Sequence, residues 1–194
     1  YFFRTDIDTG RIMSGSLTRG ILTTLRLSIW SSILALIIGT IAGVARTSRN
    51  RVARLFGRIY VEIVRNIPPL VIVFIFYFFF GNQITQWLGI EAAVARAGPG
   101  ALRALSIFFS DPKRLPEFIS AVITLGIYEG SYVTEIVRAG IESVPKGQWE
   151  AAHAVGLSRF QQYRFVALPL ALRSILPSLA GQFISAIKDS AIVS

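Results

Sequence analysis

Charged and apolar positions separate along this chain into long uncharged stretches and short charged connections. Between Arg26 and Arg46 stand 19 uncharged residues, Leu27 to Ala45. As helix they measure roughly 28 Å, enough for a hydrocarbon core of about 30 Å. A second uncharged stretch, Asn66 to Ile90, centres on the run from Leu70 to Phe80, which is apolar on every side and so does not suit a surface helix. Alone it is short, and it is expected to reach back through Pro68-Pro69 into Val61–Val64. A third stretch, Phe118 to Val137, carries Glu129 and Glu135; a fourth, about Phe165 to Ile187, carries Pro169, Arg173 and Pro177. The pattern predicts an all-α membrane protein, a polytopic helical bundle with four spans over about 21–45, 61–80, 118–138 and 163–187. A connection at 81–117 and a segment at 142–160 separate the later spans. Continuous apolar runs exclude the strict alternation of a membrane β-barrel.

Composition sharpens this. The 194 residues are 53% hydrophobic with mean hydropathy +0.56, yet the net charge is +9 and only 16% are charged. A soluble domain has about 45–50% apolar and about 25% charged residues. Arg46, Arg49, Arg51, Arg54 and Arg58 follow the first stretch with no acid before Glu62. That run places the turn in the cytoplasm, the 81–117 connection outside and the 138–164 connection inside. The outer connection fits less well, with Arg96, Arg103, Lys113 and Arg114 against Glu91, Asp111 and Glu117. Arg4, Arg11 and Arg19 would also lie outside. Basic flanks of this kind orient a chain and face anionic headgroups, worth about 1 kcal/mol per residue, so no nucleic-acid partner is implied. Zero cysteines exclude disulfides, thiolate metal sites and cysteine catalysis, and a lone His153 leaves no material for a histidine metal site. No phosphate-binding Gly-x-x-x-x-Gly-Lys-Ser/Thr loop is present, so ATP is not expected on this chain. The chain starts at Tyr1 and reads as a portion of a longer polypeptide.

The segment after the third stretch has a distinctive spacing: Glu150-Ala151-Ala152, three residues, Gly156, nine residues, then Val166-x-Leu168-Pro169. From average residue usage, a chance match at one start position is on the order of 10⁻⁸, which decides against an ordinary Ala-rich surface helix. Glu91-Ala92-Ala93 lacks this spacing, because Gly98 comes one position late. The full pattern resembles the signature of binding-protein-dependent ABC importer permeases. Further residues resemble their polar amino-acid uptake branch: Gly20 to Ser28, Tyr60-Val61-Glu62-Ile63-Val64-Arg65-Asn66-Ile67-Pro68-Pro69, Tyr132-x-x-Glu135-x-x-Arg138, Gly147-Gln148, and Leu168-Pro169 through Lys188-Asp189. After Lys188-Asp189 the family reads Thr-Ser-Leu, whereas here it reads Ser190-Ala191-Ile192, and the family's final membrane helix is absent. The 81–117 insert matches no motif.

The resemblance implies a bundle of the type I importer permease kind in a bacterial cytoplasmic (inner) membrane. It implies an ATP-binding cassette ATPase dimer that carries ATP and magnesium, a second permease subunit, identical or paralogous, and an extracytoplasmic solute-binding protein. The substrate would be an amino acid, and no covalent chemistry would occur on this chain. Gln148, Glu150, Ala151, Ala152 and Gly156 would form a cytoplasmic coupling helix, about 146–158, that docks on the ATPase. The residue types suit that role: small alanines admit close approach, Glu150 is expected in the first turn where negative charge favours the helix dipole, and Gly156 suits a left-handed helix end. Leu168-Pro169 is expected to open the next helix.

Ionisable residues inside a membrane are candidate functional groups. Glu135 and Arg138 stand three apart and are expected to form a structural ion pair. Glu129 has no basic residue three or four positions away and, with Tyr132, is a candidate for the substrate path, against the plainer reading of a packing residue. Lys188 and Asp189 either neutralise each other or face that path. Gly39-x-x-x-Gly43 and Gly126-x-x-x-Gly130 are close-packing signals. The alternative functions are a secondary transporter or channel, which commonly shows internal repeats, and a membrane scaffold, which leaves the Glu-Ala-Ala spacing unexplained.

Overall fold

The computed structural model describes residues 3–5, 12–14 and 16–191. Two short strands, β1 (Phe3–Thr5) and β2 (Ile12–Ser14), pair antiparallel with Arg4 opposite Met13. The rest of the described chain is helical apart from its turns. Arg11 and Ile192, which figure in the sequence reading, lie outside the described residues.

The first column is α1 (Ser16–Thr47). Its outward stripe of Ile29, Ile33, Ile37 and Ile41 is exposed, the four-residue spacing of one helix face. The chain reverses at Ser48–Asn50, where the Asn50 side chain accepts from the amides of Val52 (2.9 Å) and Ala53 (3.3 Å) and caps α2 (Arg51–Asn66).

The second column is broken, which corrects the expected continuous span over 61–80. Ile67 (φ −93°, ψ 133°) and Pro68 (φ −54°, ψ 139°) are extended, so Val61–Val64 belong to a separate helix. The cause is local. A residue before proline is pushed out of the α region, and two successive prolines withhold two amide donors. The helix restarts as α3 (Pro69–Ile75), passes through a π-helical turn at Phe76–Phe80 and continues as α4 (Gly81–Trp87). The column therefore ends seven residues later than expected. Gly89, at φ +64°, then turns the chain into α5 (Ile90–Arg96) and α6 (Pro99–Phe108), which form the insert with a 3₁₀ turn at Pro112–Arg114.

α7 (Leu115–Glu142) is the central column, and the others pack on it. Both glycine pairs work at the α1–α7 contact. A Cβ on Gly39 would lie 2.5 Å from the Val133 side chain, and one on Gly43 would lie 2.7 Å from Val137; Gly126 meets Leu34 at 2.6 Å. Buried hydroxyls on α7 are satisfied within the helix: Ser131 donates to the Tyr128 carbonyl and Thr134 to that of Gly130, each at 2.7 Å, so close packing leaves these groups bonded. Adding one methyl at Gly39 should therefore cost about 2 kcal/mol by overpacking. Gly39→Ala is expected to lower the thermal unfolding midpoint of the detergent-solubilised chain. Gly20→Ala, where a Cβ would meet nothing within 4 Å, should not lower it.

After α7 come α8 (Lys146–Ala154) and a last column of α9 (Arg159–Gln161), a π-helical turn at Gln162–Ala167, and α10 (Leu168–Ser190). Pro169 is the second residue of α10, as expected, although α10 continues without a break from the widened turn before it. The widened turn just before it relieves the clash that its ring would make with the carbonyl four residues back. Among the described residues, Leu17–Thr47 and Arg159–Ser190 are the helices long and apolar enough, by length and composition, to cross a membrane. The second column is interrupted, and α7 carries Glu117, Glu129, Glu135, Arg138 and Glu142.

Candidate functional site

The segment after α7 is built by local chemistry. α8 spans Lys146–Ala154 and ends earlier than the expected 146–158, because Gly156 takes φ +79°. The Leu157 amide donates to the Ala152 carbonyl (3.1 Å) and the Gly156 amide to that of His153 (3.0 Å), the paired bonds of a left-handed helix stop. Ser158 then caps α9 reciprocally with Gln161. Glu150 is the fifth residue of α8, not a first-turn residue, so the dipole argument gives it little.

Gln148, Glu150, Ala151 and Gly156 are exposed, whereas Ala152 is buried, 4% exposed. Ala152 therefore packs α8 onto the bundle and does not belong to its free surface, since residues one apart on a helix point about 100° from each other. Three residues that the sequence reading missed hold α8 in place. Trp149 packs edge-on against Tyr163, ring centroids 5.1 Å apart. The Tyr163 hydroxyl bonds the Thr47 carbonyl at 3.3 Å, reaching the end of α1. Buried Gln162 donates to the Leu157 carbonyl at 2.7 Å, locking the turn after α8. The polar run Arg159 to Arg164 gave no signal that singled out Gln162. Between α8 and the α1–α2 turn lies an open cavity of about 900 Å³, lined by Thr47, Arg49, Glu142, Trp149, Glu150 and Tyr163 among others.

The expected Glu135–Arg138 pair is present, with Arg138 Nε 2.9 Å from a Glu135 oxygen, and it is part of a longer ladder. Arg46 of α1 also bonds Glu135, and Arg138 reaches Glu142 at 2.5 Å. The ladder ties the C-terminal end of α1 to α7. Sequence spacing exposes only the partners within α7, since Arg46 is 89 positions away.

Glu129 is 1% exposed. One carboxylate oxygen accepts from Gln182 of α10, and Oε1 has no hydrogen-bond partner among the described residues. Asp189, two turns beyond Gln182 on α10, interacts with the same carboxyl. No ion pair joins Asp189 to exposed Lys188 among the described residues; both lie near enough to Glu129 to act on its carboxyl electrostatically. On the neighbouring face of α7 the hydroxyls of Tyr128 and Tyr132 are 3.0 Å apart. Arg65, in the last turn of α2, stands 4.8 Å over the Tyr132 ring, within range of a cation–π contact. The break at Ile67-Pro68 follows directly. A broken helix, two carboxyls, two phenols and a guanidinium thus gather around the middle of the central column, while α8 follows the C-terminal end of that column.

The chain matches, over residues 17–194, the family described as the inner membrane component of binding-protein-dependent transport systems. It belongs to that family. The permease is 35% identical over 175 residues to a putative glutamine transport system permease of Rickettsia prowazekii, covering 90% of this chain and 68% of the relative. It is 34% identical over 180 residues to a glutamate/aspartate import permease of Escherichia coli, covering 93% and 67%. Among solved structures it resembles one titled as an amino acid ABC transporter with histidines, with TM-score 0.63, 29% identity, and coverage of 90% of this chain and 68% of that one. The permease is thus a helical inner-membrane subunit of an ABC importer, a transport component whose ATPase is a separate subunit.

Proposed function

We propose that the permease is a multi-pass subunit that forms the membrane path of an ATP-driven importer of polar amino acids. The observation that carries the coupling role is the geometry of α8: Gln148, Glu150 and Ala151 are presented outward on a short helix fixed by Trp149, Gln162 and the left-handed stop at Gly156. An ATPase dimer holding ATP and magnesium docks on that surface. A second permease subunit, identical or paralogous, completes the path, and a solute-binding protein delivers the amino acid from outside. The path runs past Glu129, Tyr132 and Asp189, with Lys188 at the exposed outer end of α10. Glutamine and glutamate/aspartate in the names of the relatives support the substrate class.

The test is ATP-driven uptake by the reconstituted complex with its binding protein, across a panel of amino acids. Uptake of at least one polar amino acid that needs ATP and the ATPase subunit is expected. Uptake that persists without ATPase, driven by an ion gradient, overturns the reading.

A further inference from the structure

α2 presents three distinct faces. Gly57, Val61 and Val64 are buried against the bundle. Val52, Leu55, Phe56, Ile59 and Ile63 form an exposed apolar stripe. Arg51, Arg54, Arg58, Glu62 and Arg65, spaced three, four, four and three residues apart, form a separate charged stripe, as that spacing requires on a helix. Its members are exposed; the Arg58 and Glu62 side chains, paired at 2.7 Å, are 67% and 54% exposed.

The depth of this stripe follows from contacts. Leu36 is the midpoint of the uncharged stretch Leu27–Ala45. On α7, Gly126 packs on Leu34 and Gly130 on Ile38, so Tyr128 between them stands level with Leu36. Tyr60 of α2 reaches that same level: its hydroxyl donates to the Ile127 carbonyl at 2.6 Å and lies 2.8 Å from where a Gly130 Cβ would be. Val64 packs with Tyr128. Glu62 and Arg65 therefore stand near the middle of the membrane, on a face that the chain itself leaves open. Charged groups at that depth turn towards protein or a water-filled cavity, not towards lipid.

We infer that the charged stripe of α2 lines the cytoplasmic half of a water-filled path, and that Arg65 binds the carboxylate of the passing amino acid. The inference rests on the importer reading above and adds the wall of the path to it. Arg65 ends a half-helix just before the Ile67-Pro68 break, on the same side of α7 as Tyr132. Its guanidinium offers paired donors that match a carboxylate. Beyond it, Arg58, Arg54 and Arg51 continue at one-turn intervals towards the cytoplasm. The apolar stripe, about a quarter-turn or more away, meets lipid tails.

The chain has no cysteine, so single-cysteine variants report on one position each. Glu62→Cys, Arg65→Cys, Phe56→Cys and Ile63→Cys are made in the full-length permease, assembled in membranes, and treated with a charged, membrane-impermeant thiol reagent. Reaction at Glu62→Cys and Arg65→Cys is expected to be about tenfold faster or more than at the two apolar-stripe positions. A saturating transported amino acid should slow it at Arg65→Cys. If Arg65→Cys does not assemble, Glu62→Cys carries the accessibility comparison, and Arg65→Lys, expected to raise the KM for uptake, carries the carboxylate role. Equal rates on both stripes overturn the wall assignment. An Arg65→Cys rate unmoved by substrate, or an unchanged KM in Arg65→Lys, overturns the carboxylate role. Labelling needs no ATPase, so failure of the importer reading would appear separately, as uptake independent of ATP.

Discussion

Replacing Gly156 by valine should sharply reduce ATP-driven uptake while leaving the membrane bundle folded. Gly156 holds φ +79° at the end of α8. An ordinary residue in that region costs about 1–2 kcal/mol, and a β-branched one is a genuine outlier there. The strain is relieved by rotating the backbone, which breaks the bonds from Leu157 to Ala152 and from Gly156 to His153. α8 then loses its fixed angle to α9 and to the Trp149–Tyr163 contact. Uptake is expected to fall at least about tenfold, the consequence of about 1.4 kcal/mol or more lost from coupling, together with loss of ATPase co-purification. Gly156→Asn should retain part of the activity, since asparagine tolerates the left-handed region. Gly147→Ala should leave it unchanged, because a Cβ there meets nothing within 4 Å. Full uptake and full ATPase capture by Gly156→Val would sink the coupling assignment.

The second large effect is expected at Glu129. Glutamine preserves the shape of the side chain and its contact with Gln182 but removes the charge. If the carboxylate, whose Oε1 has no hydrogen-bond partner among the described residues, receives the ammonium group of the substrate, Glu129→Gln loses a hydrogen bond to a charged group, worth about 1.5–3 kcal/mol. That corresponds to about a ten- to hundredfold drop in uptake. The thermal unfolding midpoint should hold or rise, because a buried carboxyl with an unsatisfied oxygen does not stabilise the fold. Unchanged rate and substrate preference would return Glu129 to a packing role. Loss of uptake with an equal loss of folded protein would do the same.

These two positions were legible in different degrees. Gly156 was readable because helix stops are decided by a few adjacent residues, here a glycine at the right offset from Glu150-Ala151-Ala152; the Ser158–Gln161 cap that starts the next helix was not read. Ala152 was misplaced, because the spacing names the helix but not the face that it turns to the bundle. Glu129 stood out as an acid in an apolar stretch. Its partners did not, since Gln182 lies 53 positions away and the rotation of α10 is set where Ile175 packs on Gly140. The proline pair announced the break at Ile67-Pro68, yet the apolar run on either side masked it as one span.

By itself, then, the sequence determined the helical class, the membrane setting, the glycine pairs as close-packing positions and the helix stop at Gly156, all of which follow from periodicity, composition and short-range caps. Tertiary structure alone decided which charges meet. It joined Arg46 to the Glu135–Arg138 pair, brought Asp189 and Lys188 of α10 near Glu129, and placed Arg65 of α2 over the Tyr132 ring. The strength and sign of a charge interaction depend on separations of a few ångströms and on what surrounds the pair, and those are fixed by how helices rotate and slide until close-packed contacts such as Gly39 on Val133 are satisfied.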